Sequence, residues 1–469
     1  MTNTMVTFTV HRSDAELVSP ASPTPHERKP LSDVDNQRPL RFYATVVEFF
    51  RRRRAANGGG EAAPEVDPAE AIKAALAKAL VHYYPMAGRL RAAGDGRLAV
   101  SCTGEGVVFV AARADVRLDE LGEPLAPPYP CVDELFSGAG DANDVIDKPL
   151  IFMQVTKFRC GGFAIGVKAC HSMADAFGVI QFLKCVTDLA RGDERPAVLP
   201  VWERERLMGR NPPSFASLPF VSDEPSPATQ PPMQMVDMVG DYFFFGAREI
   251  AALQRRAEAP AATAFELITA AMWRCRAEAL ALGSGGGGGG RRASLLITMN
   301  VRGKRALTPP LPAGFYGNGF VFLVVEAAAG ELMLRGGGGG ATAAAAAAAV
   351  TPLRDTVELV RRAKREMATE GYVRSMVDLF AAGGAAPYAQ GWTYVVSDIT
   401  RIGEDALDPG WAERAGGGVP MVGDDDATKM ATYQMRCKGA GGEDCVAASM
   451  YLPAPAMQTF REQIAMLTS

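Results

Sequence analysis

Apolar positions along this chain recur with two periods, and segments of the two kinds alternate. Ala69–Tyr84, AEAIKAALAKALVHYY, places apolar side chains three and four residues apart, the spacing of one helix face, and ends before Pro85. Ala264–Leu280, AFELITAAMWRCRAEAL, predicts a second helix. Thr351–Ala368 predicts a third, with Pro352 at its first turn, where the missing backbone N–H breaks no helical bond. Strands fall between them. Pro149–Phe158 and Gly161–Ala169 are β-rich runs joined through Arg159–Gly162, the pattern of a hairpin. Leu295–Lys304 and Asn318–Ala327 also read as strands. The class is mixed α/β, in two halves of similar size.

Three stretches break the pattern. Gly283–Arg292 (GSGGGGGGRR) and Arg335–Val350 (RGGGGGATAAAAAAAV) read as disordered surface loops, because glycine loses the most entropy on ordering and brings no side chain to bury. No GxxxxGK[ST] is present and no strand leads into a GxGxxG, so the glycine run is not a phosphate loop. The third break, Asn211–Met233, is proline-rich, which opposes regular structure and favours an extended linker. A chain of 469 residues is too long for one ordinary core. Residues 211–233 are therefore expected to cross between an N-terminal domain, 1–210, and a C-terminal domain, 234–469.

One turn carries candidate chemistry. In KACHSMADAFGVIQF, Phe163, Ile165 and Val167 alternate with Ala164, Gly166 and Lys168, a strand, whereas Val179, Ile180, Leu183 and Val186 after the turn follow a helical stripe. His171 sits at the strand-to-helix turn, where rigid elements on both sides fix a side chain. Metal binding is not indicated: His11, His26 and His82 form no ligand pair with it. No GxSxG supplies a serine nucleophile, and Cys170, a strand neighbour, points to the opposite side. The residues alone leave two readings open: a general base, or a packed core histidine with Asp175 as helix cap.

Composition narrows the partners. Apolar residues make up 48% and charged residues 22%, normal for a globular protein, and a net charge of −4 leaves no footprint for nucleic acid. Arg51–Arg54 reads as a solvated loop. The eight cysteines contain no CxxC. The N-terminus carries no secretory pattern, and no apolar stretch outside the alanine–glycine tracts is long enough to span a membrane. A cytoplasmic monomer with reduced thiols is expected.

The segments PLSDVDNQRPLRF, LVHYYPMAGRLR, RCGGFAIGVKACHSMADAFG, LPVWERERLMGRNPPS, NVRGK, LPAGFYGN, VSDITR and LPAPAM run in order through nearly the whole chain outside its inserts. In this order and combination the chain resembles the plant BAHD acyl-CoA-dependent acyltransferases, most closely their benzyl alcohol O-benzoyltransferase-like branch. The resemblance implies two chloramphenicol-acetyltransferase-like domains, each a mixed sheet flanked by helices, with a channel between them. A segment around residues 408–435 is expected to return to the first domain. Acyl-CoA, benzoyl-CoA or similar, enters as co-substrate at one mouth and a small alcohol at the other. No cofactor stays bound and no metal is required. His171 would be the general base, with no acyl-enzyme, and the product an ester with free CoA. An amine acceptor, or a silent acyl-CoA-binding relative, are the alternatives.

The resemblance also assigns supporting roles. Asp175 would turn away from the channel and pair with Arg302 of Asn300-Val301-Arg302. The family's Asp-Phe-Gly-Trp-Gly reads DPGWA here: Asp408, Gly410 and Trp411 match and are expected to be structural, while Pro409 and Ala412 depart. Proline removes a donor, and the lost phenylalanine removes an apolar contact. Thr263, Ser397 and Thr400 match positions near CoA, and Arg401 is a candidate for its phosphates. Asp424–Asp426 offers acidic charge that would suit an amine, although such runs are usually solvated.

Overall fold

Two large mixed sheets organise the chain. The first runs Val10–Arg12, Val107–Ala114, Ile151–Lys157, Phe163–Cys170, Tyr43–Arg52, Ala412–Gly418, with Glu16–Val18 also on Val107–Ala114. The second runs Met238–Phe245, Asp444–Pro453, Ala431–Lys438, Thr393–Asp398, Arg292–Asn300, Phe320–Ala328. Each mixes the two pairings: Val107–Ala114 with Ile151–Lys157, and Arg292–Asn300 with Thr393–Asp398, are parallel, whereas most neighbours are antiparallel. A smaller sheet joins Glu27–Pro30, Leu98–Cys102 and Arg89–Ala92. This computed structural model describes residues 6–53, 66–94, 96–138, 145–220, 237–283, 292–303, 306–332, 353–383, 392–422 and 429–469. The glycine and alanine tracts, the proline-rich stretch beyond residue 220, Arg54 and Asp424–Asp426 lie outside them.

The helices fit their sequences. Pro68–His82 starts where expected, because the Asp67 side chain accepts from Ala69 N at 2.9 Å and Glu70 N at 3.3 Å, with Pro68 in the first turn. Tyr84, expected within that helix, belongs instead to the 3-10 turn Tyr84–Ala87, since Pro85 cannot extend the helical ladder. Ala264–Gly283 is buried over most of its length, with Trp273, Arg274 and Cys275 each at 1% exposure or less. A helix enclosed on all sides needs no continuous polar face, which fits its high apolar and alanine content, although Glu266, Arg274, Arg276 and Glu278 are buried with it.

The chain crosses back to the first sheet late in the sequence. Ala412–Gly418, from the second half of the sequence, pairs antiparallel with Tyr43–Arg52 of the first sheet, and Ala431 then begins a strand of the second. Arg414 Nε donates to the buried Glu48 Oε2 at 2.6 Å, and Tyr129 Oη donates to Gly417 O at 3.0 Å, so the return is held by polar contacts as well as the ladder. The two sheets thus share a connection, and a cavity of about 480 Å³ lies where they meet.

Candidate active site

The site is assembled from the turns Arg38–Phe42 and His171–Phe177 and from strands of the second sheet. Phe163–Cys170 lies between Ile151–Lys157 and Tyr43–Arg52, which fixes where the strand stops. His171 follows it, and its backbone N–H donates to Phe42 O at 2.9 Å. The imidazole lines the cavity, with the Phe42 ring 5.1 Å away and the Phe320 ring 6.3 Å away, edge to face. Its Nδ1 is buried without a hydrogen-bond partner among the described residues. Burial pushes its pKa below the ordinary 6.5, a shift only partly opposed by the Asp175 charge, which favours the neutral ring. Cys170 beside it is no nucleophile: burial pushes its thiol up to about 12.

Asp175 is among the residues lining the cavity, where the resemblance had it turn away, but its carboxylate is held by groups other than the imidazole. Its Oδ1 accepts from Gly178 N at 3.0 Å, capping helix Ala176–Arg191, and from Arg302 Nη2 at 2.9 Å. Its Oδ2 accepts from Arg302 Nη1 at 2.8 Å and Gly319 N at 2.9 Å. Both oxygens are occupied in holding the turn. The helix cap and the arginine pairing are therefore one arrangement.

A second charged pair stands behind the turn, and sequence reasoning had assigned it no role. Arg204 Nη1 lies 2.9 Å from both Asp35 oxygens, with both side chains at 1% exposure or less. Arg204 Nη2 donates to Met173 O at 2.7 Å, inside the His171–Asp175 turn. Asn318 Nδ2 donates to Asp35 Oδ1 at 2.8 Å and to His171 O at 2.7 Å. The histidine backbone is thus tied to Asp35 through Asn318. Glycines make room: a Cβ on Gly317 would lie 1.7 Å from Arg204 Nη1. The segments SDVDNQ and FYGN are visible in the sequence, but only the fold shows that their polar residues are buried.

The remaining expected residues divide. Ser397 lines the cavity, and its Oγ accepts from Thr298 Oγ1 at 3.1 Å. Thr400 is turned onto Asp398, donating N and Oγ1 to Oδ1 at 3.0 and 2.6 Å, while Arg401 is exposed; neither lines this cavity. Thr263 lies away from it and caps Ala264–Gly283, accepting from Glu266 N at 3.3 Å and donating to Glu266 Oε2 at 2.9 Å. Asp408, Gly410 and Trp411 do not line the cavity either. Asp408 Oδ1 accepts from Gly410 N at 2.9 Å and pairs with Arg53 at 3.2 Å. Gly410 has φ +85°, a conformation side chains oppose. Trp411 packs 5.0 Å from Phe163 on the first sheet.

A histidine at a strand-to-helix turn, braced by Asp175–Arg302 and open to a cavity between two such sheets, defines a two-sheet acyltransferase architecture. The Transferase family model matches residues 6–467, and the chain belongs to this family, the BAHD acyl-CoA-dependent acyltransferases. Acyl transferase 1 of Oryza sativa subsp. japonica is 46% identical over 99% of this chain and 97% of its own length. Spermidine hydroxycinnamoyltransferase 1 of the same organism is 41% identical, over 94% of this chain and 96% of its own. Benzyl alcohol O-benzoyltransferase of Petunia hybrida is 38% identical, over 97% and 93%. The crystal structure of vinorine synthase shares the fold at TM-score 0.67 and 20% identity, covering 98% of this chain and 99% of that one.

Proposed function

We propose that this protein transfers an acyl group from an acyl-CoA thioester, benzoyl-CoA or similar, to a small alcohol, with His171 as the general base. One observation carries the reading: an imidazole whose Nδ1 has no hydrogen-bond partner among the described residues, and whose pKa burial lowers, lines a cavity between the two sheets. As the acceptor oxygen bonds to the thioester carbonyl carbon, the imidazole takes the hydroxyl proton. The tetrahedral intermediate then breaks its C–S bond. The thiolate leaves, favoured over an alkoxide by a thiol pKa of about 8.5, and the imidazolium returns a proton to it. No acyl-enzyme forms. We read residues 1–210, with the return near 408–435, and residues 234–469 as two domains joined by 211–233, working as a monomer.

A second reading, an amine acceptor, is favoured by Asp398. Asp398 lines the same cavity, and its negative charge would attract a cationic acceptor. Purified protein with benzoyl-CoA and a panel of alcohols and amines tests both, following free thiol. Acceptor-dependent thiol release with alcohols supports the first reading, and release with amines alone supports the second. CoA binding without release under any pairing leaves a silent relative.

A further inference from the structure

The cavity wall includes Arg38–Phe42, a segment with two arginines and no carboxylate of its own. The segment is a tight 3-10 turn, Arg38–Leu40, with Arg41 N donating to Arg38 O at 3.1 Å. It is fastened to the histidine turn twice: Ser172 Oγ donates to Leu40 O at 3.1 Å, and His171 N to Phe42 O at 2.9 Å. The backbone at Arg38 and Arg41 is therefore tied to His171.

Neighbouring arginines have partners: Arg97 pairs with Asp33, Arg204 with Asp35 and Arg302 with Asp175. Among the described residues, no carboxylate pairs with Arg38 or Arg41. Arg41 Nη2 donates to Gly96 O at 3.2 Å, and its Nε is buried with no partner. Burial pushes the Arg41 pKa down, and the Arg38 charge pushes it further the same way. Two like charges therefore act on each other, one partly desolvated, and an anion bound beside them would relieve the repulsion.

We propose that Arg38 and Arg41 form an anion subsite in the cavity wall, taking a phosphate or carboxylate group of one of the two substrates. The proposal rests on the acyl-transfer reading for the identity of those substrates. Two sources carry this chemistry: the phosphates of CoA, and a carboxylate on the acceptor.

Calorimetric titration distinguishes them. Wild type, Arg38→Gln, Arg38→Lys and Arg41→Gln are titrated with CoA and with pantetheine, which lacks the phosphates. They are also titrated with 4-(hydroxymethyl)benzoate and with benzyl alcohol, which lacks the carboxylate. Loss of one charge-assisted contact is expected to weaken the anionic member of one pair about tenfold relative to its uncharged partner, with Arg38→Lys recovering part of the loss. Selective loss in the first pair assigns the subsite to the donor, and in the second pair to the acceptor. Equal changes in both members of both pairs overturn it. Arg38 is exposed, so its variants keep the question open to measurement even if Arg41→Gln unfolds. The titrations need no turnover. Charge-selective binding without thiol release overturns the acyl-transfer reading alone, whereas thiol release without charge selectivity overturns the subsite alone.

Discussion

The Arg302 guanidinium meets the Asp175 carboxylate two to two, Nη1 to Oδ2 at 2.8 Å and Nη2 to Oδ1 at 2.9 Å, with the side chains 16% and 8% exposed. The same carboxylate caps the helix after His171, so one group fixes both the turn and the strand ends across the cavity. Removing it leaves Arg302 nearly buried without a counter-charge. Asp175→Ala is expected to lower stability by roughly 3–5 kcal/mol, as when one partner of a buried pair is lost. Thermal melting and turnover should fall together. A variant with wild-type melting temperature and normal turnover would remove the bracing role.

His171→Ala is expected to reduce kcat on the order of 100- to 10,000-fold, the usual contribution of a general base, with CoA affinity retained. The pH profile carries an independent sign. Burial lowers the His171 pKa from 6.5, so half-protonation, which removes the base, is reached only below that value. The acid limb of kcat/KM should therefore have its midpoint below pH 6.5 and vanish in the variant. A midpoint above pH 7 would point to another group.

What the sequence disclosed depended on how locally each feature is determined. Helices Pro68–His82 and Ala264–Gly283 were legible because the apolar period that marks them repeats within a few positions, with Pro85 closing the first. Asp175 as a cap was legible from equally local signals, and its pairing with Arg302 came from resemblance. Strand Tyr43–Arg52 was not read, because it is buried through most of its length and shows no polar alternation. Asp35, Arg204 and Asn318 stayed silent because their burial is a product of three distant segments converging. Thr263, matched by resemblance to a position near CoA, caps Ala264–Gly283 instead and does not line the cavity.

Glu48 gives a stability test remote from catalysis. It is fully enclosed, pairs with Arg414 at 2.6 Å, and burial still pushes its pKa up to about 7 from 4.5. A carboxyl with a raised folded-state pKa holds its proton more tightly in the folded chain. Its contribution is therefore present below about pH 4.5 and is lost as pH rises through about 7. Glu48→Gln abolishes this dependence. The stability of the variant relative to wild type should rise between pH 5 and pH 8, by on the order of 2 kcal/mol from the linkage of pKa to stability. A flat difference across that range would show that Arg414 keeps Glu48 ionised throughout.

Two glycines near Arg302 separate crowding from loop conformation. A Cβ on Gly319 would lie 2.8 Å from Arg302 Cζ and Nη1, while one on Gly303 would meet nothing within 4 Å. The Arg302 end cannot simply swing aside, because Asp175, Phe315 O and Gly317 O hold it. Gly319 also donates its own N–H to Asp175 Oδ2 at 2.9 Å, so a shift there disturbs the carboxylate from both sides. Gly319→Ala is expected to cost about 1–3 kcal/mol, as overpacking does, and to lower turnover. Gly303→Ala is expected to stay within about 0.5 kcal/mol of wild type, as surface substitutions usually do. Chemical denaturation of the two variants, followed by single-turnover measurement, checks both expectations. If Gly319→Ala melts and reacts like Gly303→Ala, the turn tolerates displacement of Arg302, and the bracing of His171 must come from the Asp35–Arg204 pair and Asn318 instead.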